Sequence, residues 1–179
     1  MTYEGYAFAH HPHDPIDAMA VSPSYNEDKT VFIANSEHLL KSINGGHSWK
    51  ELVNGLDNIY AISSIEIIPS MPASYTLFIS TLGNGIYRST NGGTSWSNVS
   101  AGLQNLSIRK ISARTKDIVL ALDTAGRLYV STNRGQLWHT VVTLPQGVVI
   151  TSVSPPSSFP ETRILAGDSL GRILESTDR

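Results

Sequence analysis

The chain has 179 residues, 40% hydrophobic and 16% charged, with a formal net charge of -2 at pH 7. That balance suits one globular domain with a real core, and the few scattered Lys and Arg exclude the basic face of a nucleic-acid binder. With no cysteine, disulfides, thiol catalysis and Cys-ligated zinc are excluded, and no apolar run approaches the roughly 18 residues that span a bilayer.

The first 15 residues include "YEGYAFAH" (3–10), which reads as a strand. They lack the charged n-region and long apolar stretch of a signal peptide, so the compartment stays open. "HHPHD" follows, with His10, His11, His13 and Asp14. Imidazole and carboxylate suit zinc or nickel, but this spacing matches no structural zinc pattern. It reads as a connection, and neither metal nor cofactor is expected.

From Ile16 the chain repeats. Each unit opens with one strand, "IDAMAVSP", "ISSIEIIP", "IRKISA" or "VVITSVSP". A second run is rich in β-branched and aromatic residues: "TVFIA", "TLFIS", "DIVLAL", "TRILA". A turn follows ("NSE", "TLGN", "DTAG", "DSLG"), then a short third segment: "HLLK", "GIYR", "RLYV", "RILE". That segment runs into a box, "SINGGHSW" at 42–49, "STNGGTSW" at 89–96 and "STNRGQLW" at 131–138, with "STDR" opening another copy at Ser176. A fourth segment follows each complete box: "WKELV", "WSNVS", "WHTVV".

Steps of 47, 42 and 45 residues between the box serines lie in the range of four-stranded propeller blades. The second runs are continuously apolar, the pattern of a strand covered on both faces. No helical periodicity of useful length is present. The expected fold is all-β: a propeller, or part of one, with about four four-stranded antiparallel blades. The expected divisions are an N-terminal segment (1–15), blades at 16–60, 61–107 and 108–148, and a blade at 149–179 without its fourth strand. The proline-rich "SPPSSFPET" (154–162) reads as a loop within that last blade.

The box has the composition of a tight turn. Asn44, Asn91, Asn133 or Asp178 is expected to accept backbone N–H groups two residues on. Gly46, Gly93 and Gly135 are expected at positive φ. Trp49, Trp96 and Trp138 bring apolar area to an outer strand with little core of its own. Ser42, Ser89, Ser131 and Ser176 end the third strand and can satisfy turn groups. A phosphate-binding P-loop would need a Lys after the second glycine and a following helix, and neither is present.

These boxes resemble the Asp-box, or BNR repeat, Ser-x-Asp-x-Gly-x-x-Trp. The resemblance covers essentially residues 16–179, and "SPSYNEDKTVFIAN" (22–35) is similar to a hairpin common in these repeats. Asn replaces Asp in all three complete boxes, keeping the acceptor oxygen without the charge. The family includes sialidases, sortilin-type receptor domains, glucan-active enzymes and photosystem assembly factors, so the fold alone assigns no function. Its boxes lie on the propeller periphery, away from the active site.

With strands a to d in each blade, the b–c turns and d–a connections share one face and the boxes the other. Ligands are expected at the first face, around 35–38, 81–85, 123–126 and 168–171, or in the channel lined by strands a. Sialidase-like chemistry would require an Arg cluster, a Tyr nucleophile with a Glu, and an Asp acid/base. The candidates are Asp17, Tyr60, Glu66 and Arg109, with one Arg where three are required. Asn98 and Asn105 open glycosylation sequons that arise readily by chance.

The expected function is a non-catalytic binding or assembly scaffold for a protein or glycan. A fragment or relative of a sialidase-like glycoside hydrolase is the alternative. Three ring architectures are open: a fragment of a longer propeller, a ring completed by a second copy, and a self-closed four-bladed ring with 3–10 as the missing strand d.

Overall fold

The computed structural model describes residues 15–35, 37–70, 74–113, 118–141, 145–154 and 163–176. The strand expected at 3–10, the cluster of His10, His11, His13 and Asp14, most of the proline-rich loop and Asp178 lie outside the described residues. The strands form four antiparallel sheets, each ordered as in the chain. Blade 1 contains β1 (Ala18–Val21), β2 (Val31–Ala34), β3 (Leu39–Ser42) and β4 (Lys50–Glu51). Blade 2 contains β5 (Ile62–Ser70), β6 (Ser74–Thr81), β7 (Ile86–Ser89) and β8 (Ser97–Asn98). Blade 3 contains β9 (Ile108–Ala113), β10 (Val119–Asp123), β11 (Leu128–Ser131) and β12 (His139–Thr140). Among the described residues, blade 4 has three strands: β13 (Ile150–Ser154), β14 (Ile164–Asp168) and β15 (Ile173–Ser176).

This is the all-β propeller arrangement that the repeat implies. The b strands are covered on both sides: every residue of β2 and β10 is buried. One departure is a single helical turn, α1 (Tyr25–Asp28), inside the loop read as a plain hairpin. Asp28 closes it by accepting the Ser22 hydroxyl at 2.6 Å and the Thr30 N–H at 2.8 Å, and Lys29 ends it in the left-handed region.

The core lies between blades rather than within them. One cluster joins Phe32, Leu39 and Leu52 of blade 1 to Ile62, Ile65 and Trp96 of blade 2. A second joins Phe78, Ile86 and Val99 to Ile108, Tyr129 and Trp138, and a third joins Leu120, Leu122 and Leu128 to Ile150 and Val153. A blade only a few residues wide buries little apolar surface alone, so each depends on its neighbours.

Candidate functional site

Two repeated turn systems stand at opposite ends of the blades. In the first box, the Ser42 hydroxyl donates to Asn44 Oδ1 at 2.9 Å and accepts the Gly46 N–H at 2.8 Å. Asn44 Oδ1 also accepts the Ser48 N–H at 2.9 Å. The other boxes repeat this with Ser89, Asn91, Gly93 and Ser95, and with Ser131, Asn133, Gly135 and Leu137. The asparagine therefore takes the N–H four residues on, where the sequence reading placed the bond two residues on. The serine supplies the nearer acceptor, because its short side chain lies directly under the turn.

The box also joins blades. The Trp96 N–H donates to Asn54 O of blade 1 at 3.0 Å, and the Trp138 N–H to Ala101 O of blade 2 at 2.9 Å. Gly55 and Gly102 sit against those tryptophan backbones; a Cβ at either would fall 2.2 Å from the carbonyl oxygen. From the other side, Lys41 Nζ donates to Gly92 O and Arg88 Nη1 to Arg134 O, each at 2.8 Å. A cation on strand c thus grips the box of the next blade.

The opposite face carries the b–c turns, each held by a polar side chain at the end of strand b. Asn35 Oδ1 accepts the His38 N–H at 2.7 Å, and Thr81 Oγ1 accepts the Asn84 N–H at 2.9 Å. Asp123 and Asp168 have buried side chains and accept the Arg127 and Arg172 N–H groups at 2.8 and 2.9 Å. The Tyr129 hydroxyl donates to Asp123 Oδ2 at 3.1 Å, and burial pushes that phenol above its ordinary range. The Arg172 backbone N–H is the main reason that the Asp168 carboxyl stays below its ordinary range, reinforced by the Arg172 guanidinium, whose Nε lies 2.7 Å from Oδ2. The sequence reading placed candidate ligand positions on these turns but did not identify the side chains that pin them. The recurring Asp-x-x-Gly-Arg at 123–127 and 168–172 was the available signal.

Connections into one blade also pack on the b–c turn of the blade before it. Gly85 N donates to Leu106 O at 2.9 Å and Ile150 N to Gly126 O at 3.1 Å. Strand a carries a register shift at this end in blades 2, 3 and 4. Such bulges redirect side chains beside binding surfaces.

The four catalytic candidates occupy separate settings. Glu66 Oε1 accepts the Ala113 N–H of blade 3 at 3.0 Å. Arg109 Nη2 donates to Ile150 O and Thr151 O of blade 4 at 2.9 and 3.3 Å. Glu66 thus reaches the far end of β9, whereas Arg109 reaches the start of β13. Tyr60 is exposed in its d–a connection, and Asp17 is exposed just ahead of β1. Among the described residues, no group of three or more His, Asp or Glu could hold a metal. Among the described residues, no helix is long and apolar enough to cross a membrane.

A groove of about 530 Å³ lies on the outer rim between blades 1 and 2, away from the b–c face. Lys41, Trp49, Lys50, Leu52, Gly92 and Thr94 line it. Desolvation is the main reason that the Lys41 ammonium sits below its ordinary range.

No family model matches the chain, and no curated protein matches it. Solved propeller structures do. YCF48 from Cyanidioschyzon merolae is 18% identical with a TM-score of 0.61, over 91% of this chain and 53% of that one. YCF48 bound to a D1 peptide is 13% identical with a TM-score of 0.68, over 96% of this chain and 54% of that one. An ancestral GH74 enzyme is 23% identical with a TM-score of 0.68, over 90% of this chain and 22% of that one. This chain therefore spans about half the length of the YCF48 chains and about a fifth of the GH74 enzyme. At these identities the likeness shows the fold: a β-propeller architecture, whole or partial.

Proposed function

We propose that this chain is a non-catalytic binding scaffold of the Asp-box propeller type, presenting its b–c face to a protein or glycan. The observation carrying this reading is an arc of exposed apolar side chains on that face: Tyr60, Leu82, Leu106, Val149 and Leu170. Leu82 and Leu170 stand on turns pinned by Thr81 and Asp168, and Leu106 and Val149 are tied to neighbouring b–c turns by backbone bonds. Apolar groups held on stiff turns lose little conformational freedom when a partner covers them. The hydrolase alternative asks for converging acid, base and arginine groups, whereas Glu66 and Arg109 brace neighbouring blades. Similarity to a propeller solved with a D1 peptide bound adds support for a protein ligand.

Peptide and glycan arrays probed with labelled protein test this. For ligands so found, Leu82→Asp and Leu170→Asp should each weaken binding by about tenfold or more. Lys50→Glu, in the outer groove, should leave binding within about twofold. Turnover of sialosides or β-glucans that disappears in Glu66→Gln would overturn the reading.

A further inference from the structure

We infer that the groove on the outer rim between blades 1 and 2 is a second docking site, for a short acidic peptide that carries aliphatic side chains beside its carboxylates. The inference rests on the groove itself and does not depend on the binding reading of the b–c face.

The groove holds about 530 Å³, within the roughly 300–1,000 Å³ of ligand sites. Both walls are described residues: Lys41, Ile43, Lys50 and Val53 of blade 1 line it together with Gly92 and Thr94 of blade 2. Charge sets the first requirement on a ligand. Lys41 and Lys50 are direct partners across β3 and β4, where like charges repel. Among the described residues, neither makes an ion pair. The nearby carboxylates are already engaged. Glu51 lies 2.7 Å from His38 Nδ1, and Asp28, whose charge acts on Lys41, accepts the Ser22 hydroxyl and the Thr30 N–H. Lys41 gives one N–H to Gly92 O, and Lys50 is exposed. A carboxylate seated beside the two ammonium groups removes their repulsion.

The neutral polar groups set the second requirement. Ser48 Oγ accepts from Asn44 Nδ2 at 2.8 Å, and the Thr94 hydroxyl donates to Asn91 O at 2.9 Å. Asn54 Nδ2 donates to Thr94 O at 3.4 Å. These groups serve the box turns, so the lining offers little to the many hydroxyls of a glycan. Beside the cations it offers aliphatic surface, with Ile43 69% and Val53 60% exposed. That combination fits a peptide.

The repeat supplies a control. The joint between blades 2 and 3 has Arg88, Thr90, Ser97 and Ser100 where this one has Lys41, Ile43, Lys50 and Val53. It keeps the cation that grips the next box, through Arg88 Nη1 to Arg134 O, and has small hydroxyl residues at the other three places. Joining blades therefore does not require Ile43, Lys50 or Val53.

The probe is a capped octapeptide of two Glu-Glu-Val-Val repeats, which sets acid and aliphatic side chains alternately along each face of the extended chain. Titrated into the isotope-labelled 179-residue chain, it should give saturable NMR shifts at the Lys41, Lys50 and Thr94 amides. The expected dissociation constant is about 0.1–1 mM, too weak to survive the washing of an array. Ile43→Thr with Lys50→Ser copies blade 2 and so keeps the fold; it should weaken binding by about fivefold or more, and Lys50→Glu by more still. Leu82→Asp, on the b–c face, should leave it within about twofold. A b–c ligand is expected to show the reverse order, so each reading can fail alone. Shifts confined to the b–c turns, no saturable shift, unchanged binding in the double variant, equal binding of the peptide with Gln for Glu, or tighter binding of a sulfated oligosaccharide would overturn the inference.

Discussion

Trp138 and Trp49 occupy the same place in the same turn, yet their surroundings differ. Trp138 is buried and its indole N–H donates to Val99 O at 2.7 Å, while Trp49 is half-buried beside Tyr25 in a cluster made by blade 1 alone. The serine and asparagine beneath them make the same hydrogen bonds in both. The turn is thus built locally, and the tryptophan acquires its burial from the blade in front. The box has two separable roles: its polar half makes the turn and its aromatic half makes the joint.

The largest expected effect tests the aromatic half. Trp138→Ala should lower stability by about 4 kcal/mol, and Trp49→Ala by about 1 kcal/mol, in denaturant melts of dilute protein. Equal losses would break the comparison. The polar half should behave in the opposite way. Ser131→Ala and Ser42→Ala each remove the acceptor of a glycine N–H, and each should lower stability by about 2 kcal/mol irrespective of blade. A finer contrast concerns the indole N–H. Among the described residues, Trp96 Nε1 is buried without a hydrogen-bond partner, whereas Trp138 Nε1 has one. Trp138→Phe should therefore be worse than Trp96→Phe by about 1 kcal/mol in the same melts.

The smallest effect lies on the other face. The Asp168 carboxyl is held below its ordinary range in the folded chain, first by the Arg172 N–H. Its contribution is present in full above the unfolded aspartate range and is lost as pH falls through the lower native value. Melting temperature should therefore fall on acidification across that window, and Asp168→Asn should flatten that part of the curve. An unchanged slope would remove Asp168 from the account.

Much of the architecture was legible because it is periodic. The boxes, the punctuating turns and the two-sided burial of strands b each recur and agree, and four sheets of chain-ordered strands follow from them. What the residues could not disclose was direction. Nothing in "STNGGTSW" says whether its tryptophan packs on its own blade or on the one before, because that contact is made by Leu52 and Phe32, far away in the chain. The settings of Glu66 and Arg109 were hidden for the same reason. Both residue types suit a catalytic channel, yet each engages the backbone of the next blade. α1 was missed because four residues leave too short a period to detect.

That direction also matters during synthesis. The Trp96 and Trp138 backbone N–H groups bond to carbonyls earlier in the chain, and Gly93 and Gly135 pack on Leu52 and Phe78 of the preceding blade. A ribosome releases the N-terminal part first, so the receiving surface exists before the element that docks on it emerges. Each new blade can fold onto a template, the preceding blade, that has already left the ribosome.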